Sequence, residues 1–176
     1  LPPLPPGIAV VCDALAEDPA DAIEHHLHLR PQEAPAALSP GDVLVAVRSA
    51  AVNWVDLIMT SGQYQHQAQP PYTPGLEYAG VVAWAGSAVR DVRVGDAVFA
   101  DGFLTGPRSA GGYQRQGGFA SYAVAPAAAL RPLPRGLSFD QACNLLGNYE
   151  TALHCLSTCG RLKEGETALI LGASGG

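Results

Sequence analysis

Glu166-Thr167-Ala168-Leu169-Ile170-Leu171-Gly172-Ala173-Ser174-Gly175-Gly176 reads as a buried β-strand running into a glycine-rich turn. Such a strand and turn normally open a helix whose N-terminal N–H groups bind a dinucleotide pyrophosphate. Against G-x-G-x-x-G, Ala173 takes the first glycine position and Gly175 the second, and the third falls just past Gly176. Glycine is needed where backbone approaches a phosphate with no Cβ in the way, so Gly175 and Gly176 are the informative pair. Gly172, Ala173 and Ser174 complete the candidate cofactor-binding turn. The competing reading is a flexible glycine tail, and only the upstream segments separate the two.

Composition sets the outer limits. With 176 residues, 48% hydrophobic and 15% charged, the chain can bury a core and is neither disordered nor fibrous. That length suits one domain and the start of a second. Ten basic residues against sixteen acidic give a net charge of -6, with no basic run to neutralise a series of phosphates, which argues against nucleic acid as a partner. No apolar stretch is long enough to span a bilayer, and no charged-then-apolar N-terminus signals secretion, so a soluble protein is expected. Leu1 in place of Met predicts a processed or incompletely represented N-terminus, and Pro2, Pro3, Pro5 and Pro6 predict an extended lead-in. Cys12, Cys143, Cys155 and Cys159 are too few and too unevenly placed for a disulfide framework. A reducing compartment is expected, the cytoplasm or an organelle matrix after removal of a leader.

From Gly7 to about Pro134 the chain alternates short β-segments with Gly and Pro. Strands are predicted over residues 8–12, 22–29, 43–51, 78–85, 97–100 and 120–125. In residues 23–29 the odd positions are mostly apolar and the even ones polar, as in a half-exposed antiparallel strand. Frequent turns with little helix predict a closed or partly closed barrel. One short helix is predicted over residues 54–60, with Asn53 as its N-cap and Gly62 ending it. Ser138 then caps a second helical stretch, with apolar positions at helical spacing through Leu146, Leu153 and Leu156 to Gly160.

Several segments together carry a family resemblance. They are Ala51-Val52-Asn53-Trp54-Val55-Asp56, Ser61-Gly62-Gln63-Tyr64, Pro74-Gly75-Leu76-Glu77-Tyr78-Ala79-Gly80-Val81-Val82, Val94-Gly95-Asp96-Ala97-Val98, Gly117-Gly118-Phe119-Ala120-Ser121-Tyr122 and Tyr149-Glu150-Thr151-Ala152. In this order they resemble the medium-chain dehydrogenase/reductases, most closely the quinone oxidoreductase branch. The resemblance implies a mixed α and β chain: a GroES-like, partly closed β-barrel catalytic domain over residues 1–136, a connecting helical segment over 137–160, and at 161–176 the first strand of a truncated Rossmann domain. It implies a substrate cleft between the two domains, and a chain that continues past Gly176 through the Rossmann sheet before returning to the catalytic domain. The full-length protein is expected to be a homodimer.

Zinc-dependent relatives place a Cys near the position of Asn53 and a Gly-His-Glu where this chain has Gly75-Leu76-Glu77. The resemblance therefore implies that the Cys and His ligands of the catalytic zinc are gone. The relatives' structural zinc lobe, with its closely spaced cysteines, corresponds to residues 101–117, which contain no cysteine. His26 with His28, and Cys155 with Cys159, supply only two ligands each; exposed imidazoles and packed thiols are the plainer readings. No metal is expected.

Without a metal, hydride transfer becomes a matter of placing nicotinamide C4 against an acceptor carbon and polarising the acceptor with hydrogen bonds. The resemblance places Asn53 and Asp56 in the substrate and nicotinamide pocket and Thr151 close to the nicotinamide. It matches Tyr64 to a tyrosine proposed as proton donor in the similar enoyl thioester reductases. Asn53 and Tyr64 are thus the candidate catalytic residues, and Asn53, Asp56 and Tyr64 the candidate substrate pocket. Each has an alternative: Asn53 as a helix cap, Asp56 as a partner of the helix dipole, and Tyr64 as a wall of the pocket. The loop of residues 101–117 carries Arg108 and Arg115 and is the least family-like part of the chain; it either brings an arginine to a phosphate or holds solvated arginines.

The expected function is an NADPH-dependent, zinc-independent reductase of quinones or α,β-unsaturated carbonyls. Enoyl thioester reduction is the second enzymatic reading. A non-catalytic subunit that kept the reductase fold is the third, because fold alone does not fix function.

Overall fold

A computed structural model describes residues 3–35 and 37–173 of the chain, so Ser174, Gly175 and Gly176 of the candidate cofactor turn lie outside the described residues. The described residues form seven strands: β1 Gly7–Cys12, β2 Leu27–Gln32, β3 Asp42–Ala51, β4 Glu77–Ala85, β5 Ala97–Ala100, β6 Tyr122–Pro126 and β7 Leu130–Pro132. Five of them form an antiparallel sheet in the order β6-β3-β4-β5-β7, while β1 and β2 pair separately. The smaller sheet is tied to the larger by the bridges Ala9–Ala120 and Cys12–Tyr72, and Val10 N–H donates to Phe119 C=O at 2.8 Å. This is the partly open barrel that the turn-rich sequence predicts.

β-Branched and small residues fill the barrel. Val43, Val45, Tyr78, Val82, Val98, Ala123 and Ala125 form one core across β3, β4, β5 and β6. A second cluster packs Ala51, Ala79 and Phe99 of the sheet against Ala142 and Cys143. Those last two residues belong to the end of α3, Phe139–Ala142, whose start is fixed by a capping box. Ser138 Oγ accepts from Gln141 N–H at 3.2 Å, and Gln141 Oε1 accepts from Ser138 N–H at 2.9 Å. Docking α3 against the sheet carries the following helical residues to the same side as the start of β4. Gly75 brings the chain into β4 with φ +103°, and a Cβ there would lie 2.6 Å from Phe119 N, so only glycine fits.

The helix predicted over residues 54–60 is present as α2, Trp54–Thr60. The strand predicted over 22–29 is half wrong. Asp18 caps α1, Pro19–Asp21, accepting from Ala20 N–H at 2.8 Å and Asp21 N–H at 2.9 Å, and the helical path continues as a π-turn through Ala22–His26 before β2 begins at Leu27. A filled cap with Pro in the first turn outweighs a few residues of alternation. β7 was not anticipated, being only three residues long and ending in proline.

Residues 145–159 form one helical run, Leu145–Glu150 and His154–Cys159 with π-type bonding and α4, Thr151–Leu153, between them. The strand expected to be buried at residues 166–170 carries no ladder among the described residues, and Leu169 and Leu171 are 87% and 85% exposed. A central parallel strand takes its hydrogen bonds and its burial from neighbouring strands, and no described segment lies beside this one. No described helix is long and apolar enough to cross a membrane.

Candidate active site

The start of α2 is built around two carboxylates. Asn53 stands at the N-cap in extended backbone, and its N–H donates to Asp56 Oδ2 at 2.9 Å. Asp56 Oδ1 accepts from Leu76 N–H, also at 2.9 Å, so one side chain ties α2 to the entry of β4. Asp56 is only 2% exposed. Burial pushes its carboxyl from 3.8 up to about 6, against the lowering effect of the N–H groups of Asn53, Leu76 and Gly75, and the nearby Glu77 raises it further. Asp56 therefore lies beneath the site and does not line it, contrary to its expected place in the substrate pocket. A carboxylate in the first turn of a helix is drawn to the free N–H groups there.

Glu77, the first residue of β4, is 6% exposed and joins two walls. Its Oε2 accepts from Asn53 Nδ2 at 2.9 Å, and its Oε1 accepts from the backbone N–H of Gly147. A Cβ at Gly147 would meet Glu77 Oε2 at 2.5 Å, so the helical run can approach the carboxylate only because residue 147 has no side chain. Sequence reading had not singled out Glu77 as a site residue. Its signal was there: a lone acidic residue opening an otherwise apolar strand, Glu77-Tyr78-Ala79-Gly80-Val81-Val82.

Above this floor lies an open cleft of about 630 Å³. Asn53, Tyr64 and Thr151, nearly a hundred residues apart in the chain, all line it, together with Glu77, Phe103, Arg108 and Gly147. Tyr64 is half-buried, and its hydroxyl has no hydrogen-bond partner among the described residues. Thr151 is exposed on α4. Gly172 and Ala173 sit in an exposed turn and do not line the cleft.

Three of the four side chains of the candidate metal pairs have other partners. His26 Nδ1 lies 3.2 Å from Asp13 Oδ1 and His28 Nε2 lies 3.0 Å from Asp13 Oδ2, and the His26 hydrogen bond, with the charge of His28, holds the Asp13 carboxyl below its ordinary range. Cys159 Sγ lies 3.4 Å from His154 Nε2 on the exposed helical run. All four cysteines are free.

The alcohol dehydrogenase GroES-like domain matches residues 39–135, more than half of the chain. The chain is a medium-chain dehydrogenase/reductase of the quinone oxidoreductase-like branch. A zinc-type alcohol dehydrogenase-like protein of Schizosaccharomyces pombe is 37% identical over 88% of this reductase-family chain and 49% of its own length. The quinone oxidoreductase of Mus musculus is 35% identical, over 76% and 37%. Among solved structures, a probable oxidoreductase from Mycobacterium abscessus superposes with a TM-score of 0.78 at 32% identity, covering 98% of this chain and 49% of its own. A structure described as a “putative zinc-binding dehydrogenase” from Sinorhizobium meliloti bound to NADP superposes at 0.63 with 25% identity, over 80% and 42%. This medium-chain dehydrogenase/reductase thus spans half or less of the length of the relatives it matches.

Proposed function

We propose that the protein is a zinc-independent reductase that uses NADPH to reduce quinones or α,β-unsaturated carbonyl compounds. The observation that carries this reading is the convergence of Asn53, Tyr64 and Thr151 on one cleft. The name of the mouse quinone oxidoreductase supports the acceptor class, and the NADP-bound neighbour supports the nicotinamide cofactor; zinc independence rests on this chain's own residues. On this reading residues 1–136 are the catalytic domain, 137–160 the connection, and 161–176 the opening of the cofactor domain, with Gly172 to Gly176 forming the pyrophosphate turn.

The residues of the cleft fit the nicotinamide end of such a cofactor: a space of about 630 Å³ holds a ring and a flat acceptor, with amide and hydroxyl groups on its walls. NADPH, when bound, supplies the hydride. The chain's own contribution is orientation. One N–H of the Asn53 amide is committed to Glu77, which fixes the amide plane and leaves the second N–H to donate to an acceptor oxygen. Thr151 donates from the facing wall, and Tyr64 closes the side of the cleft against water. Asn53 and Leu76 stand where zinc-dependent relatives carry Cys and His ligands, which supports catalysis without zinc.

Enoyl thioester reduction is the second reading, favoured by Tyr64, which lines the cleft and whose hydroxyl has no hydrogen-bond partner among the described residues. The test is NADPH oxidation by the full-length protein with a simple quinone and with an enone, alongside titration of NADPH binding. Consumption with either acceptor is expected. Failure to bind NADPH and to reduce any acceptor would instead favour a non-catalytic subunit.

A further inference from the structure

Arg108 is the one permanent cation among the described residues lining the cleft, and nothing in the chemistry above uses it. Its guanidinium carbon lies 3.8 Å from the centre of the Phe103 ring and 5.9 Å from that of Tyr64. Stacking on a ring face leaves the in-plane N–H groups pointing outward from the guanidinium edge. No carboxylate pairs with it among the described residues. Of the three carboxylates that share the cleft, Glu77 is engaged with Asn53 and Gly147, and Asp101 with the Phe103 N–H at 3.0 Å and Arg131 at 4.0 Å, while Glu150 is exposed on the helical run and makes no ion pair with Arg108. Arg108 Nε is buried without any partner among the described residues. A donor that has lost water and gained no acceptor costs stability, so folding alone does not account for its placement.

The loop that carries it is held in place. Pro107 and Ser109, on either side, are buried, Ser109 Oγ donates to Gly106 C=O at 2.7 Å, and the Tyr113 hydroxyl donates to Asp42 Oδ1 at the start of β3. Phe103, by contrast, is 66% exposed, so its stacking with Arg108 shapes the cleft and not the core.

We propose that Arg108 is a substrate-recognition residue and that the preferred acceptor carries an anionic oxygen group, carboxylate or phosphate, beside its conjugated system. The guanidinium fork takes that group in two parallel N–H···O bonds while the Phe103 and Tyr64 rings face the flat body. The acceptor chemistry rests on the reductase reading; anion recognition does not.

The test uses the full-length protein and the variants Arg108→Gln and Arg108→Lys, with thermal melts to establish folding. Calorimetric titration with 2-naphthoate and with neutral 2-naphthylmethanol reads recognition without turnover. The naphthoate-to-alcohol affinity ratio should fall about ten- to hundredfold in Arg108→Gln, and by less in Arg108→Lys, which keeps the charge and loses the fork. Kinetically, a carboxylated naphthoquinone should lose against its neutral parent through KM more than through kcat. A drop confined to a naphthoquinone carrying a phosphate beside the ring would assign the group as phosphate, and one confined to the carboxylated substrates as carboxylate. If the ratios of anionic to neutral compound all stay constant in both variants, or if NADPH affinity is what falls, the proposal is overturned. Arg108-dependent naphthoate binding without any NADPH oxidation would leave the anion site standing and remove the reductase reading.

Discussion

The Asn53 amide and the Glu77 carboxylate hold one another at 2.9 Å across the floor of the cleft, and the second oxygen of Glu77 is bound by the Gly147 N–H. One buried acid therefore fixes the relative positions of α2, β4 and the helical run that carries Thr151. The orientation of Asn53 depends on all three.

Glu77→Gln should break this arrangement from within. An amide can accept only through its one oxygen, so either Asn53 Nδ2 or the Gly147 N–H would face an NH₂ group. A loss of about 1–3 kcal/mol in stability is expected, together with reduced kcat. Gly147→Ala should reproduce the kinetic defect by pushing the carboxylate aside, since its Cβ would fall 2.5 Å from Glu77 Oε2. Urea unfolding and steady-state kinetics on both variants check this; wild-type kcat in Gly147→Ala would show that the bridge does not position Asn53.

Asp56 makes a prediction about pH. Its carboxyl is raised by burial from 3.8 to about 6, so between these values the folded state binds its proton more tightly than the unfolded chain does. Its contribution to stability is therefore greatest in acid, declines as pH rises through about 4 to 6, and is level above that. The full decline is at most about 3 kcal/mol. Asp56→Asn should flatten this part of the stability curve while weakening the protein at pH 4 through a lost N–H acceptor. Denaturation of both proteins at several pH values decides it, and superimposable slopes would remove the assignment.

Tyr64 separates the two candidate chemistries. A quinone takes its protons from solvent after hydride transfer, so Tyr64→Phe should retain most of kcat if the ring is only a wall. Enoyl thioester reduction needs a proton delivered to carbon, and loss of a positioned acid should cost about 10²–10⁴-fold. The mutant is to be assayed with both substrates under saturating NADPH. Equal mild losses would leave Tyr64 as packing and the thioester reading without its donor.

Metal dependence follows from Asn53 and Leu76. Treatment of the full-length protein with a chelator should leave both activity and melting temperature unchanged, and elemental analysis should find no stoichiometric zinc. Zinc bound one-to-one would contradict the proposal.

Local signals in the chain were enough to place α2 at Trp54–Thr60, the Ser138 cap and β5 at Ala97–Ala100, because caps, turn residues and short apolar runs act on their immediate neighbours. The ordered family segments likewise marked Asn53, Tyr64 and Thr151, which the fold brings to one cleft. Alternation misled over residues 22–29 because the Asp18 cap, only a few residues away, commits the chain to a helical path first.

What tertiary structure alone decided is which groups share the site and what state they are in. Asp56 and Glu77 are both acidic residues near the start of an element, yet one is sealed under the cleft and the other faces Asn53. That difference depends on where Leu76 and Gly147, each 20 or more residues from its partner, deliver their N–H groups. Arg108 and Phe103 are five residues apart in a glycine-rich loop, and nothing local stacks them. The anchors are Tyr113 on Asp42 and the buried Thr105 and Pro107, contacts made across the fold. Burial, orphaned donors and raised pKa values arise from distant parts of the chain closing over one another, so they become legible only when the fold is known.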